Sequence, residues 1–99
     1  MIYEMAEIEI QPGKEAEFEA AARKAAPLFQ AATGYHSFAL HRSIEHPGKY
    51  RLIVGWESVD HHMVEFRNSP NFQQWRALVG GFFANPPQVE HTDEIIKAG

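Results

Sequence analysis

Trp56-Glu57-Ser58, followed by Phe66-Arg67-Asn68-Ser69-Pro70-Asn71-Phe72-Gln73-Gln74-Trp75, joins the end of a strand to two helix starts and gathers aromatic and imidazole side chains in one segment. Read after a strand, Ser58 is placed to accept a hydrogen bond from an unpaired amide of the helix that follows. Ser69-Pro70 repeats the device, a cap followed by proline at the first helical position. On the first helix Val59, His62, Met63 and Phe66 fall at i, i+3, i+4 and i+7, which predicts an apolar stripe with an imidazole on it. On the second helix Phe72, Trp75, Val79 and Phe82 do the same. His61 and Glu65, four apart on the other side of the first helix, read as a surface pair.

Working upstream, Tyr3 to Ile10 alternates, with Ala6, Ile8 and Ile10 on one face and Met5, Glu7 and Glu9 on the other. Pro12-Gly13 ends that strand. From Glu15 onward Phe18, Ala22, Ala25, Phe29 and Ala32 step by four and three, and Glu15, Glu17 and Glu19 sit near the positive end of the helix dipole. Pro27 lacks an amide donor and crowds the carbonyl of Arg23, which predicts a kink or an early end there. Gly34 closes the helix. Tyr35 to Arg42 and Lys49 to Glu57 then read as a hairpin around Glu45-His46-Pro47-Gly48. Downstream, Gly80-Gly81 and Asn85-Pro86-Pro87 break the chain before a last strand from Gln88 to Thr92 that extends toward Ile96.

Strand parity sorts these residues. Ala6, Ile8, Ile10, Phe38, Leu40, Tyr50, Leu52, Val54, Trp56, Val89 and His91 share the face that the helices cover. Glu7, Glu9, Ser37, His41, Arg51, Glu57 and Glu90 fall on the other, together with Met5, Ala39 and Ile53. That second face suits a polar interface in which opposite charges pair across strands.

Composition bounds the rest. A chain of 99 residues makes one domain, spanning 1–99, and buries roughly 60 to 70% of the surface its unfolded form exposes. A core so small favours association. The absence of cysteine removes disulfides, thiolate metal sites and a thiol nucleophile. No apolar run approaches the ~18 residues that span a bilayer, and no basic leader precedes an apolar stretch, so the chain reads as a cytoplasmic protein without a membrane partner. The net charge of -4 is dispersed and the nine Lys and Arg do not cluster. Nucleic acid, whose binding rests on a basic face, is therefore not an expected partner. No phosphate-cradling glycine loop, dinucleotide fingerprint or metal-ligand spacing is present.

The strand ending Ile10-Gln11-Pro12-Gly13-Lys14, the alanine-rich helix with Phe18, Gly34-Tyr35, Trp56-Glu57-Ser58 and the Phe66 to Phe72 block with Ser69-Pro70 together resemble the antibiotic biosynthesis monooxygenase domain over nearly the whole chain. The resemblance implies an α+β, ferredoxin-like βαββαβ antiparallel sheet that pairs with a second copy into a dimeric α+β barrel, with a cavity between each sheet and its own helices. It also implies oxygenation of a small phenol, anthrone or quinol by molecular oxygen with no metal or flavin. In such chemistry the deprotonated substrate reduces oxygen itself, while the protein supplies a dry cavity, a proton acceptor and donors to the forming oxyanion.

For that reaction His62 and His91 are the candidate catalytic groups, given an ordinary pKa of about 6.5. Trp56, Phe66, Trp75 and Phe38 are candidate walls for the substrate, and Tyr50 a candidate donor to its oxygen. Haem-degrading members of the family resemble this chain around Phe66 to Arg76, but they hold iron through a histidine where Arg76 aligns and use an asparagine where Ile8 stands. A guanidinium cannot ligate iron and isoleucine cannot donate a hydrogen bond, so no cofactor is expected. Two other readings stay open on these residues: a non-catalytic small-molecule-binding or structural homodimer, and an oxygen-independent isomerase or decarboxylase-type enzyme using a histidine base.

Overall fold

The computed structural model describes residues 1–99. Four strands, β1 (Ile2–Glu9), β2 (Tyr35–Arg42), β3 (Lys49–Trp56) and β4 (Gln88–Thr92), form one antiparallel sheet in the order β2-β3-β1-β4. Two helices, α1 (Glu15–Gln30) and α2 (Pro70–Val79), cover one of its faces, and a π-helix from His61 to Phe66 precedes α2. This is the four-stranded sheet with helices on one face that element order and strand parity predict, in the ferredoxin-like βαββαβ arrangement that the resemblance implies. No helix is long and apolar enough to cross a membrane.

Parity decides the burial. Ala6 and Ile8 of β1, Tyr50, Leu52, Val54 and Trp56 of β3, and Phe18, Ala22, Ala25 and Phe29 of α1 make one buried core. Val89 lies opposite Ala6 and His91 opposite Glu4 in the β1–β4 register, so both share that face as expected. Val89 stays exposed nonetheless, on a strand at the edge of the sheet. On the reverse face Arg51 sits opposite Glu7 and reaches it at 3.7 Å.

Three local expectations change. Pro27 neither ends α1 nor interrupts it: the helix continues to Gln30, and the amide of Ala31 bonds the Pro27 carbonyl at 3.1 Å. Pro27 faces solvent, so the carbonyl it leaves unpaired remains open to water. The last strand stops at Thr92, and Ile95 and Ile96 stand exposed beyond it.

The third change bears on the site. Ser58 does cap its helix, its Oγ accepting from the amide of His61 at 3.3 Å. The segment then winds as a π-helix, closed by the amide of Arg67 on the carbonyl of His62 at 3.0 Å, an i→i+5 bond. With the wider turn, i and i+4 share the inner face, so His62 and Phe66 are buried while Val59 and Met63 point outward. The second cap forms as predicted: Ser69 Oγ accepts from the amide of Phe72 at 3.3 Å with Pro70 behind it.

Gly34 fixes how closely the π-helix approaches the sheet. Its φ is 82°, and a Cβ there would lie 2.5 Å from the ring of His61. Its carbonyl accepts from the amide of Glu57 at 2.7 Å, tying the start of β2 to the end of β3 beside the imidazoles.

Candidate active site

The chemistry-bearing side chains collect at the two ends of β3. At the Trp56 end, residue Glu4 of β1 projects under the helices and is only 5% exposed. The indole Nε1–H of Trp56 donates to Glu4 Oε1 at 3.0 Å. His62 Nε2 lies 3.2 Å from the same oxygen. The His62 ring stacks on Trp56 with centroids 5.5 Å apart and planes 15° from parallel. His62 Nδ1 is 2.8 Å from His91 Nε2 on the half-buried edge strand. A line of close polar contacts thus runs from a buried carboxyl through a buried imidazole to one that reaches the surface, hydrogen-bonded at Trp56–Glu4 and at His62–His91 and bridged between Glu4 and His62 by the 3.2 Å approach.

Burial governs the protonation of this line. It pushes the Glu4 carboxyl up to about 7, against the opposing pull of the Trp56 N–H bond and the charge of Arg67. Burial also lowers the His62 imidazole to about 4, helped by His91 and Arg67. At neutral pH His62 is therefore neutral, and Glu4 populates both of its forms. His62 alone is then a poor holder of a proton, which departs from the ordinary pKa on which the sequence reading of His62 rests. A neutral imidazole still conducts one, since it accepts at one nitrogen while donating at the other.

Around this line the aromatic side chains converge on Phe29, with ring centroids 4.7 Å from Phe66, 5.0 Å from Trp75, 5.0 Å from Phe38 and 6.4 Å from Trp56. Trp56 is fully buried, Phe66 3% exposed and Trp75 7%. They pack against one another and not around an open cavity.

Tyr50 lies at the far end of β3, six residues from Trp56 and so about 20 Å away along the strand. Its ring packs edge-on to Phe18 at 4.9 Å. Its hydroxyl donates to Glu19 Oε2 at 2.5 Å, and Arg42 Nη1 donates to the same oxygen at 2.9 Å. Burial and then Glu19 push the phenol up to about 12, opposed by Arg42. These three line an open cleft of about 400 Å³ whose apolar wall includes Ala22, Phe38 and Leu40. The seven sequence-predicted residues are accordingly divided: His62, His91, Trp56, Phe66 and Trp75 at one end, Tyr50 at the other, and Phe38 touching both.

Glu4 is the residue that sequence reasoning passes over. Its signal was parity: two positions before Ala6 on an alternating strand, it had to share the buried face. Nothing among the buried side-chain nitrogens and oxygens is left without a partner, so the network is fully satisfied. His61, by contrast, stays at the surface as expected, 3.4 Å from Glu65 and 2.8 Å from Ser58 Oγ.

Comparison with known proteins places this geometry. The family model described as antibiotic biosynthesis monooxygenase matches residues 1–78. The uncharacterized protein YczJ of Bacillus subtilis is 39% identical over 95 residues, covering 96% of this chain and all of that one. A Bordetella bronchiseptica protein assigned to the antibiotic biosynthesis monooxygenases superposes with a TM-score of 0.94 at 57% identity, over 96% of this chain and 97% of the other. SnoaB, a cofactor-independent oxygenase from Streptomyces nogalater, shares the fold at a TM-score of 0.84 and 17% identity, over 97% and 94% of the two chains.

Proposed function

For this chain, which belongs to the antibiotic biosynthesis monooxygenase family, we propose a cofactor-independent oxygenase that acts on a small phenol, anthrone or quinol. The observation that carries the reading is the hydrogen-bonded pair of His62 and His91, 2.8 Å apart, reaching from beneath Trp56 to the half-buried edge of the sheet. His91 is the end of the pair that a substrate hydroxyl or acidic C–H reaches first, and His62 takes up or supplies the proton behind it. Trp56, Phe66 and Trp75, packed about Phe29 behind the pair, would wall a flat ring only where that packing parts to admit it.

For an anthrone-like substrate the chemistry closes without a cofactor. The ring CH₂ loses a proton to the histidine pair, and the carbanion passes one electron to O₂. The two radicals combine into a carbon-bound peroxide, which regains the proton. Loss of water then leaves a carbonyl, so that RH₂ and O₂ become R=O and H₂O. Arg76 and Ile8, at the positions where haem-degrading relatives present histidine and asparagine, support the cofactor-free form. The polar sheet face with Glu7, Glu9, His41 and Arg51 is proposed to close on a second copy, giving the dimeric barrel. Sedimentation at micromolar concentration checks this, and a monomer there would remove the dimer.

The decisive experiment is oxygen uptake across a panel of quinols, anthrones and flavonoids. Uptake with formation of the matching quinone or ketone supports the oxygenase. The dense packing of Trp56, Phe66 and Trp75 about Phe29 favours a second reading, a ligand-binding or structural homodimer without turnover. That reading prevails if no member of the panel consumes oxygen.

A further inference from the structure

We infer that Glu4 is the proton store of this site, a positioning residue that receives a proton through His62 from His91 and returns it along the same line without touching substrate. The inference deepens the oxygenase reading and rests on it for its catalytic meaning. Its physical basis is a set of three contacts: Trp56 Nε1–H to Glu4 Oε1 at 3.0 Å, Glu4 Oε1 to His62 Nε2 at 3.2 Å, and His62 Nδ1 to His91 Nε2 at 2.8 Å.

With His62 neutral, as its burial favours, two proton arrangements fit the contacts in this line. With Glu4 ionised, His62 donates from Nε2 to the carboxylate and accepts at Nδ1 from His91 Nε2–H. With Glu4 protonated, its hydroxyl donates to His62 Nε2, and His62 donates from Nδ1 to His91 Nε2. Going from the first to the second, the proton on His91 Nε2 moves to His62 Nδ1 and the proton on His62 Nε2 moves to Glu4, while His91 Nδ1 takes a proton from the substrate. Each imidazole changes tautomer and ends neutral. The single charge passes from carboxylate to substrate anion, and no charged imidazole has to persist in the buried position of His62.

The reaction needs such a store. It releases one proton when the substrate becomes an anion and consumes one when the peroxide forms, with nothing gained or lost overall. A carboxyl sealed from water holds that proton between the two events without exchanging it with solvent. The Trp56 N–H fixes which oxygen faces His62, so the indole orients the acceptor as well as walling the site. The groups facing Glu4 are few: Trp56 from β3, His62 from the π-helix, His91 from β4 and the charge of Arg67. With burial raising the carboxyl to about 7, both its ionised and its protonated form are populated near neutral pH.

The test has an arm that needs no substrate. Nitrogen-15 NMR of the wild-type protein from pH 5 to 8 should show neutral His62 passing from the Nδ1–H to the Nε2–H tautomer as Glu4 ionises, with the Trp56 Nε1–H resonance moving at the same midpoint. A His62 tautomer that stays constant across that range overturns the store, whatever the protein catalyses. In the kinetic arm E4Q should lower kcat by about a hundredfold with KM little changed and abolish the limb of the pH profile near neutrality. E4D keeps the charge but shortens the reach to His62, and should lose a comparable share of kcat while retaining a pH-dependent limb. Wild-type kcat and pH profile in E4Q or E4D overturn the inference. A tautomer switch in a protein that consumes no oxygen with any substrate leaves the store standing and removes the oxygenase.

Discussion

The two ends of β3 each hold an aromatic donor bonded to a glutamate, and they differ in what surrounds the carboxylate. Trp56 donates to Glu4 in a place sealed by helices, and Tyr50 donates to Glu19 beside the Arg42 guanidinium at the mouth of an open cleft. At the sealed end desolvation acts on the acid itself and lifts Glu4 to about 7. At the open end the perturbed group is Tyr50, lifted to about 12 by burial and by its bond to Glu19 against the opposing pull of Arg42. The same pairing therefore yields a carboxyl poised to change state near neutrality at one end and a phenol locked in its protonated form at the other. Only the first is suited to move protons.

The largest contrast should appear in rate. His91→Ala removes the outer end of the proton line and should lower oxygen-dependent turnover by about a hundredfold or more. Tyr50→Phe should leave turnover within about threefold, because the hydroxyl proton is already committed to Glu19. Equal losses in the two variants would erase the distinction between the ends. His91 is half-buried on an edge strand, so its truncation should cost no more than about 1 to 2 kcal/mol of stability. His62, buried against Trp56, carries more of the packing and is the less clean variant.

Trp56→Ala should cost about 3–5 kcal/mol in denaturant unfolding, since it empties a fully buried indole site and strips Glu4 of its donor. A smaller loss than about 2 kcal/mol would mean that the aromatic cluster around Phe29 can collapse to fill the space.

The pH dependence of stability gives a finer comparison. Glu4 is raised from 4.5 to about 7, so the fold retains a proton that the unfolded chain releases, and stability falls as pH rises from 4.5 to 7. His62 is lowered from 6.5 to about 4, so the fold refuses a proton that the unfolded chain binds, and stability rises from pH 4 to 6.5. Across the shared window the two slopes oppose, and the wild-type curve should be nearly flat. Glu4→Gln deletes one slope and leaves the other. Its stability should climb by about 2 kcal/mol between pH 4 and 6.5. A flat curve in that variant would show that His62 is not held neutral by the fold.

How much of this was legible in the sequence follows from the range of each interaction. Alternation named the buried face of every strand, and Ser69-Pro70 marked its helix start, because a face and a cap are decided within a few residues. Position along a strand is not encoded in alternation, so Trp56 and Tyr50, on one face, read as neighbours although they lie about 20 Å apart. The π-helix is hidden from a 3.6-residue period over Val59, His62, Met63 and Phe66, since an i→i+5 bond such as that from Arg67 leaves no mark in the pattern, and Val59 and Met63 stand outward. Pro27 predicts a kink or an early end, yet an exposed carbonyl finds water and α1 runs on to Gln30. Glu4 was readable by parity alone. What concealed it was the expectation that a carboxylate avoids the core, which fails wherever an indole and an imidazole stand ready to receive it.

The smallest expected effect belongs to the open end. Tyr50→Phe removes one hydroxyl that donates to a carboxylate, while the ring keeps its edge-on packing against Phe18. Glu19 keeps Arg42 and gains water through the cleft, so the acid is never stranded, and the loss should be about 1 kcal/mol, or a fall in Tm of roughly 4–8 °C for a domain of this size. Arg42→Ala should cost less still, about 0.5 kcal/mol, because that pair is half in solvent and is screened further as salt rises. The two variants combined should exceed the sum of their separate costs, since together they take from Glu19 both of the donors that share its one oxygen. Strict additivity in thermal unfolding would mean that water already supplies what Tyr50 and Arg42 supply, and that the open end is held together by the Phe18 contact alone.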